Sequence, residues 1–161
     1  MPVIENRLWE FALALYEKPE VAACCLQLQD RNSVNVNILL WSIWLEHKHL
    51  CLTDERLLAA CELIQQWDEN YVQVLRTLRR NIKHEFKHNL ALVANVRDSI
   101  KHAELTAEKQ ELQWLENIVA DWRVENCQIK KGKNMEFYLE HMRVPVPVTE
   151  QVKIIFNRNK K

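Results

Sequence analysis

At 161 residues, 48% of them hydrophobic and 27% charged, the chain suits one domain with a real core and is too apolar to be disordered. One glycine (Gly132) and four prolines are too few turn residues for an all-β fold, so the composition points to an all-α one. The net charge of zero argues against a general nucleic-acid binder, which is normally a basic domain. That balance hides an asymmetry, with five surplus positive charges in residues 128–161 and five surplus negative charges in residues 1–127.

The first helix is expected over about Asn6 to Glu17, with Leu8, Phe11, Ala12 and Leu15 on one face. Pro19 suits the first turn of a second helix, since proline lacks the donor that this position leaves unpaired. That helix turns Val21, Cys25 and Leu28 inward and ends near Asp30, where Asn32 and Ser33 offer a left-handed cap and the next N-cap. From Val34 to Leu45 almost every residue is apolar, so the helix they form is apolar on every side. Too short to cross a membrane, it reads as the buried centre of the fold.

Thr53 followed by Asp54 and Glu55 starts a further helix that Trp67 closes. The next begins near Asp68 and carries Tyr71, Leu75, Leu78, Ile82 and Phe86 on an inward stripe. Leu90, Val93 and Ile100 continue it, either as one helix to His102 or as two broken near Asn89. Thr106 then caps a last helix bearing Leu112, Leu115, Val119 and Trp122. After Cys127 the periodicity fails. A short helix is expected around Glu136–Met142, the VPVPV run reads as extended, and VKIIF suits a strand or a docked apolar segment. The chain thus divides into a helical domain over 1–127, a compact bundle around the central helix, and a basic C-terminal extension over 128–161, partly extended.

Five cysteines form no C-x-x-C pair, and most sit among apolar neighbours as small hydrophobes. Their odd number and the absence of a secretory leader place the protein in a reducing cytoplasm. No segment is expected to span a membrane, and no cofactor is implied.

Three groups of residues carry candidate chemistry. His84-Glu85-Phe86-Lys87-His88 matches the H-E-x-x-H zinc motif. Its histidines fall opposite the inward stripe, facing solvent, with no third ligand. The match is therefore read as coincidental and metal binding as absent. The second group, Arg76, Arg79, Arg80, Lys83 and Lys87, follows a spacing that puts five cations on one face, directly beside the apolar stripe. Guanidinium groups at such a border suit carboxylate or phosphate. Arg79, nearest the border, fits an internal ion pair with an acid such as Asp30, Glu46 or Asp68, and so does Arg76; Arg80 and Lys83 fit an outward surface. The third is a polar cluster of Asp30, Asn35 and Asn37, in which Asn37 stands among Leu40, Trp41 and Trp44. Asn37 is either part of a first-turn cap with Asn35 as N-cap, or the polar floor of a small pocket shared with Asp30 and Arg79.

Four blocks together resemble a family of small proteobacterial helical proteins, about this length, catalogued as a domain of unknown function. They are Trp9, Phe11, Leu13 and Tyr16; Cys25, Leu26, Leu28, Gln29 and Asp30; Asn35 through Leu40 with Trp44; and Leu75, Arg76, Arg79, Arg80 and Lys83. The resemblance covers roughly residues 9–83. It departs where the family has aspartate and this chain has Asn35, and where the family's proline is Val74. It implies a helical, cytoplasmic protein and brings no activity, cofactor or substrate.

From the residues, the leading expectation is a non-enzymatic binding or adaptor protein. It would present Arg76, Arg80 and Lys83, with the basic tail, to an acidic protein or a ribonucleoprotein. The rival is a small anionic-ligand-binding protein or enzyme with its site at Asp30, Asn37 and Arg79. A pocket over those residues would favour the rival; a filled and fully paired interior would remove it.

Overall fold

The computed structural model describes residues 7–122 and 133–159. Helix α1 (Arg7–Tyr16) leads into α2 (Pro19–Asn32), which starts on its proline and stops where Ser33 turns left-handed at φ 54°. The central helix α3 (Val36–His47) opens on Asn35, whose Oδ1 accepts hydrogen bonds from the Asn37 and Ile38 amides at 2.9 and 3.2 Å. Everything from Ile38 to Leu45 is buried, Leu39, Trp41 and Leu45 completely. α3 touches α1, α2, α6 and α7, so its apolar sides all have neighbours.

Helix α4 (Asp54–Trp67) starts on the expected Thr53 cap, but Trp67 does not close it. A single wide turn of π-helix, Asp68–Val72, carries the chain on into α5 (Gln73–Glu85). After a short 3-10 turn, Leu90–Val93, the chain returns as α6 (Ala94–Asn117), packed along α5. Two expectations are corrected on this pair. Thr106 caps nothing: it lies inside the continuous α6, and its hydroxyl donates to the His102 carbonyl one turn back. The stripe on α5 is not sunk in the core either, for no α5 residue is buried and Leu78 and Phe86 stay exposed. α5 packs chiefly on α6 and the π turn, and its apolar residues are covered only in part.

Past the undescribed residues come α7 (Lys133–His141) and α8 (Val146–Arg158). The VPVPV run is not extended throughout. Pro145 is extended, but Val146 and Pro147 form the first turn of α8, where a proline is tolerated. VKIIF is helical, with Val152 and Phe156 buried, so it is docked and is no strand. This segment packs on the rest of the fold. α7 lies along α3 and buries Met135, Tyr138 and Leu139. Glu46 at the end of α3 accepts from the Asn134 amide at 2.9 Å, so a carboxylate sits at the positive end of α7. Asn134 itself is buried and fastens the α3–α4 connection, accepting from the Leu52 amide and donating to the Leu50 carbonyl.

Cys24, Cys25 and Cys61 are free thiols among apolar neighbours, and burial pushes the Cys24 thiol up to about 11. Cys51 is instead disulfide-bonded. Among the described residues no helix is long and apolar enough to cross a membrane.

Candidate functional site

The expected stripe and the expected polar cluster meet in one place. A cavity of about 670 Å3 opens between α1, the α2–α3 junction, the π turn, α5 and α6. Asp30, Asn35, Asn37, Arg76, Arg79 and Arg80 all line it, whereas Lys83, further along α5, and Lys87, past the end of that helix, do not. That volume is ordinary for a small-molecule site. The opposite wall is largely apolar, with Trp9, Leu13, Tyr16 and Leu26 from α1 and α2.

The arginines are not equivalent. The Arg76 Nε is 3.3 Å from Glu104 Oε1 and its Nη2 is 2.8 Å from Glu108 Oε1. Arg79 grips the two Glu104 oxygens with Nε and Nη2, at 2.5 and 3.1 Å. Both guanidinium groups are largely covered, and the Glu104 side chain is only 8% exposed. The expectation that internal pairs hold Arg76 and Arg79 is met, but with the wrong acids. Asp30 takes Arg80, Asp68 accepts from the Gln73 side chain, and Glu46, at the end of α3, accepts from the start of α7. Arg80 differs in being open, its side chain 45% exposed and its 2.9 Å bond going to an Asp30 side chain that is 50% exposed. A pair so wetted contributes at most about 1 kcal/mol and exchanges readily.

Asn37 does two jobs that the sequence offered as alternatives. Its backbone amide sits in the Asn35 cap, while its side-chain Nδ2 donates to Glu111 Oε2 at 2.8 Å. Asn35 belongs to the scaffold: its own amide donates to the Tyr138 hydroxyl at 3.0 Å, tying α7 to the start of α3.

The acids of α6 were missed altogether. Glu104, Glu108 and Glu111 lie at spacing 4 and 3, one face of a helix, interleaved with the buried Ala107, Leu112 and Leu115. Carboxylates on the apolar face of an amphipathic helix were the available signal. Glu111 is fully buried and its Oε1 has no hydrogen-bond partner. Burial first, then the neighbouring Asp68 carboxylate, push the Glu111 carboxyl up to about 9. Near neutral pH it therefore keeps its proton, which also gives Oε1 a bond to make: protonated Glu111 donates to Asp68. Burial also raises Glu108, against the pull of Arg76.

The H-E-x-x-H residues lie elsewhere. α5 stops at Glu85, so His88 is beyond the helix, and His84 and His88 are both exposed. Among the described residues no group of three or more histidine, cysteine, aspartate or glutamate side chains is placed to hold a metal ion.

No curated protein and no solved structure matches the chain. A family model described as "Protein of unknown function (DUF2390)" matches residues 7–115, a span containing every element that lines the cavity.

Proposed function

This chain belongs to the family described as protein of unknown function (DUF2390), and on that premise we propose that its cleft binds a small molecule bearing a carboxylate or phosphate group. One observation carries the reading: Arg80 stands at a cavity of about 670 Å3 with only a solvent-exposed carboxylate for a partner. Lys101 of α6 adds a second cation to the lining. Arg76 and Arg79, already neutralised by Glu104 and Glu108, serve as the rigid wall that aims Arg80. A ligand anion need displace only a weak surface pair to gain a charge-assisted, two-pronged contact.

The test is a thermal-shift screen of small carboxylates, phosphates and peptides, repeated on Arg80→Glu. A true ligand raises the melting temperature of the native protein, as mass action requires, and loses that effect in the variant. No hit, or hits indifferent to Arg80→Glu, refutes the reading.

The rival is the adaptor surface built on Arg76, Arg80 and Lys83. In its favour, Lys83 on α5 and Lys87 just past its end are exposed, outside the cleft. Against it, Arg76 is covered and twice bonded. Changing Lys83 and Lys87 to glutamate separates the two: the cleft reading expects unaltered small-ligand binding, the adaptor reading expects loss of an acidic partner in pull-down.

A further inference from the structure

The cleft has unlike ends. At one end Arg80 and Lys101 offer positive charge with Asp30 as the exposed counter-charge. One turn along α6 from Lys101, Glu104 is taken up by Arg76 and Arg79; a turn further, Glu108 meets Arg76. At the far end stands Asp68, with Glu111 behind it, and the donors supplied there are the neutral amides of Gln73 and Asn37. One end is rich in cation and the other in carboxyl. Summed over the lining, Arg76, Arg79, Arg80 and Lys101 are matched one for one by Asp30, Asp68, Glu104 and Glu108. A cavity so balanced does not favour a polyanion, and its polarity is lengthwise.

A second observation marks the carboxyl end as held together by a proton. Glu111 is fully buried, and its Oε1 has no donor unless the side chain carries a proton. A buried acceptor without a donor costs roughly 1–3 kcal/mol. In the ligand-free fold the Glu111 proton answers that demand through Asp68; an incoming ammonium can take its place, and Asp68, which lines the cavity, is the surface it would touch first.

We propose that the cleft takes an elongated zwitterion of the size of a short peptide, with its ammonium group on Asp68, backed by Glu111, and its carboxylate between Arg80 and Lys101. This rests on the anion-binding reading given above and adds the opposite charge and the length. Lys101 and Glu111 are ten residues apart on α6, a backbone rise of about 15 Å that sets the scale of the cleft's length. An extended tripeptide, with about 10 Å between its terminal charges, is of that scale once the side chains reaching for each end are allowed for. Between the ends, Trp9, Leu13, Leu26 and Leu105 supply apolar wall for side chains. The raised carboxyl of Glu111 agrees with this: a proton is held beside Asp68, where the ligand would bring an ammonium.

Calorimetry on the full chain, titrated with the tripeptide Ala-Leu-Ala, its N-acetyl form and its C-terminal amide, tests each end separately. The free peptide is expected to bind, and each capped form to bind at least about tenfold more weakly, since each loses a charge-assisted contact. An N-acetyl form that binds as well as the free peptide overturns the ammonium seat while leaving the anion site standing. An amide that binds as well overturns the carboxylate end and, with it, the anion-binding reading. If free Ala-Leu-Ala fails to bind at about 1 mM (a Kd limit that corresponds to a very weak complex), the zwitterion proposal falls even where another carboxylate or phosphate binds. Asp68→Asn, a change at a half-buried and already wetted position, is expected to erase the discrimination against the N-acetyl form without unfolding the protein. Retained discrimination in that variant would refute the role given to Asp68.

Discussion

Replacing Glu111 by glutamine tests the buried proton directly. The Glu111 carboxyl moves from an ordinary value of 4.5 to about 9 on folding. Between those values the folded chain holds a proton that the unfolded chain has lost, so stability falls as pH rises. Sign and window follow together: the contribution is intact below the unfolded value and is lost progressively as pH climbs to the folded one. Each full proton changes stability by about 1.4 kcal/mol per pH unit. From about pH 5.5 to about pH 8.5 the loss therefore reaches at most about 4 kcal/mol. Glutamine in place of Glu111 keeps both contacts, its oxygen accepting from Asn37 Nδ2 and its nitrogen donating to Asp68, but has nothing to titrate. Urea unfolding followed by tryptophan fluorescence across that range is the assay. Wild type is expected to weaken with rising pH, and Glu111→Gln to lose most of the slope. The residue left belongs to Glu108, which burial raises with the same sign. Parallel profiles for the two proteins would show that Glu111 is ionised in the fold and that the account of the site is wrong.

Glu104→Gln strips the carboxylate that Arg76 and Arg79 share, at a side chain only 8% exposed. Breaking a buried pair from one side costs about 3–5 kcal/mol, and a denaturation midpoint within about 1 kcal/mol of wild type would contradict the pairing. Tyr138→Phe removes the acceptor of the Asn35 amide. It is expected to cost about 1–3 kcal/mol, and an unchanged stability would mean that α7 does not hold the start of α3.

The central helix was legible because an apolar run on all faces has only one soluble solution, and the caps at Asn35 and Thr53 were legible because capping is local chemistry. The location of the cleft was half legible. Asp30, Asn37 and Arg79 announced themselves as polar residues set against apolar neighbours, but their contacts lie dozens of residues away, on α5 for Asp30 and on α6 for the other two, and depend on topology. Glu104 and Glu111 escaped notice because a glutamate in a helix is unremarkable until the packing of Ala107, Leu112 and Leu115 fixes which face turns inward. The C-terminal segment misled for a different reason. Val146 and Pro147 have poor helix propensity, yet they sit in the first turn, where a proline's missing donor is no loss, and the burial of Val152 and Phe156 outweighs the rest.

The wide turn at Asp68–Val72 sets the phase of the whole site. A π turn holds an extra residue relative to the α-helix on either side of it, and one residue is worth about 100° of rotation. Excising an exposed residue from it, Glu69 or Asn70, would let α4 and α5 fuse into one regular rod. Arg76, Arg79 and Arg80 would then swing off the acids of α6 as a block, with every charged side chain of that ladder still in the chain. The cavity is thus built as much by an irregularity in winding as by the residues that line it.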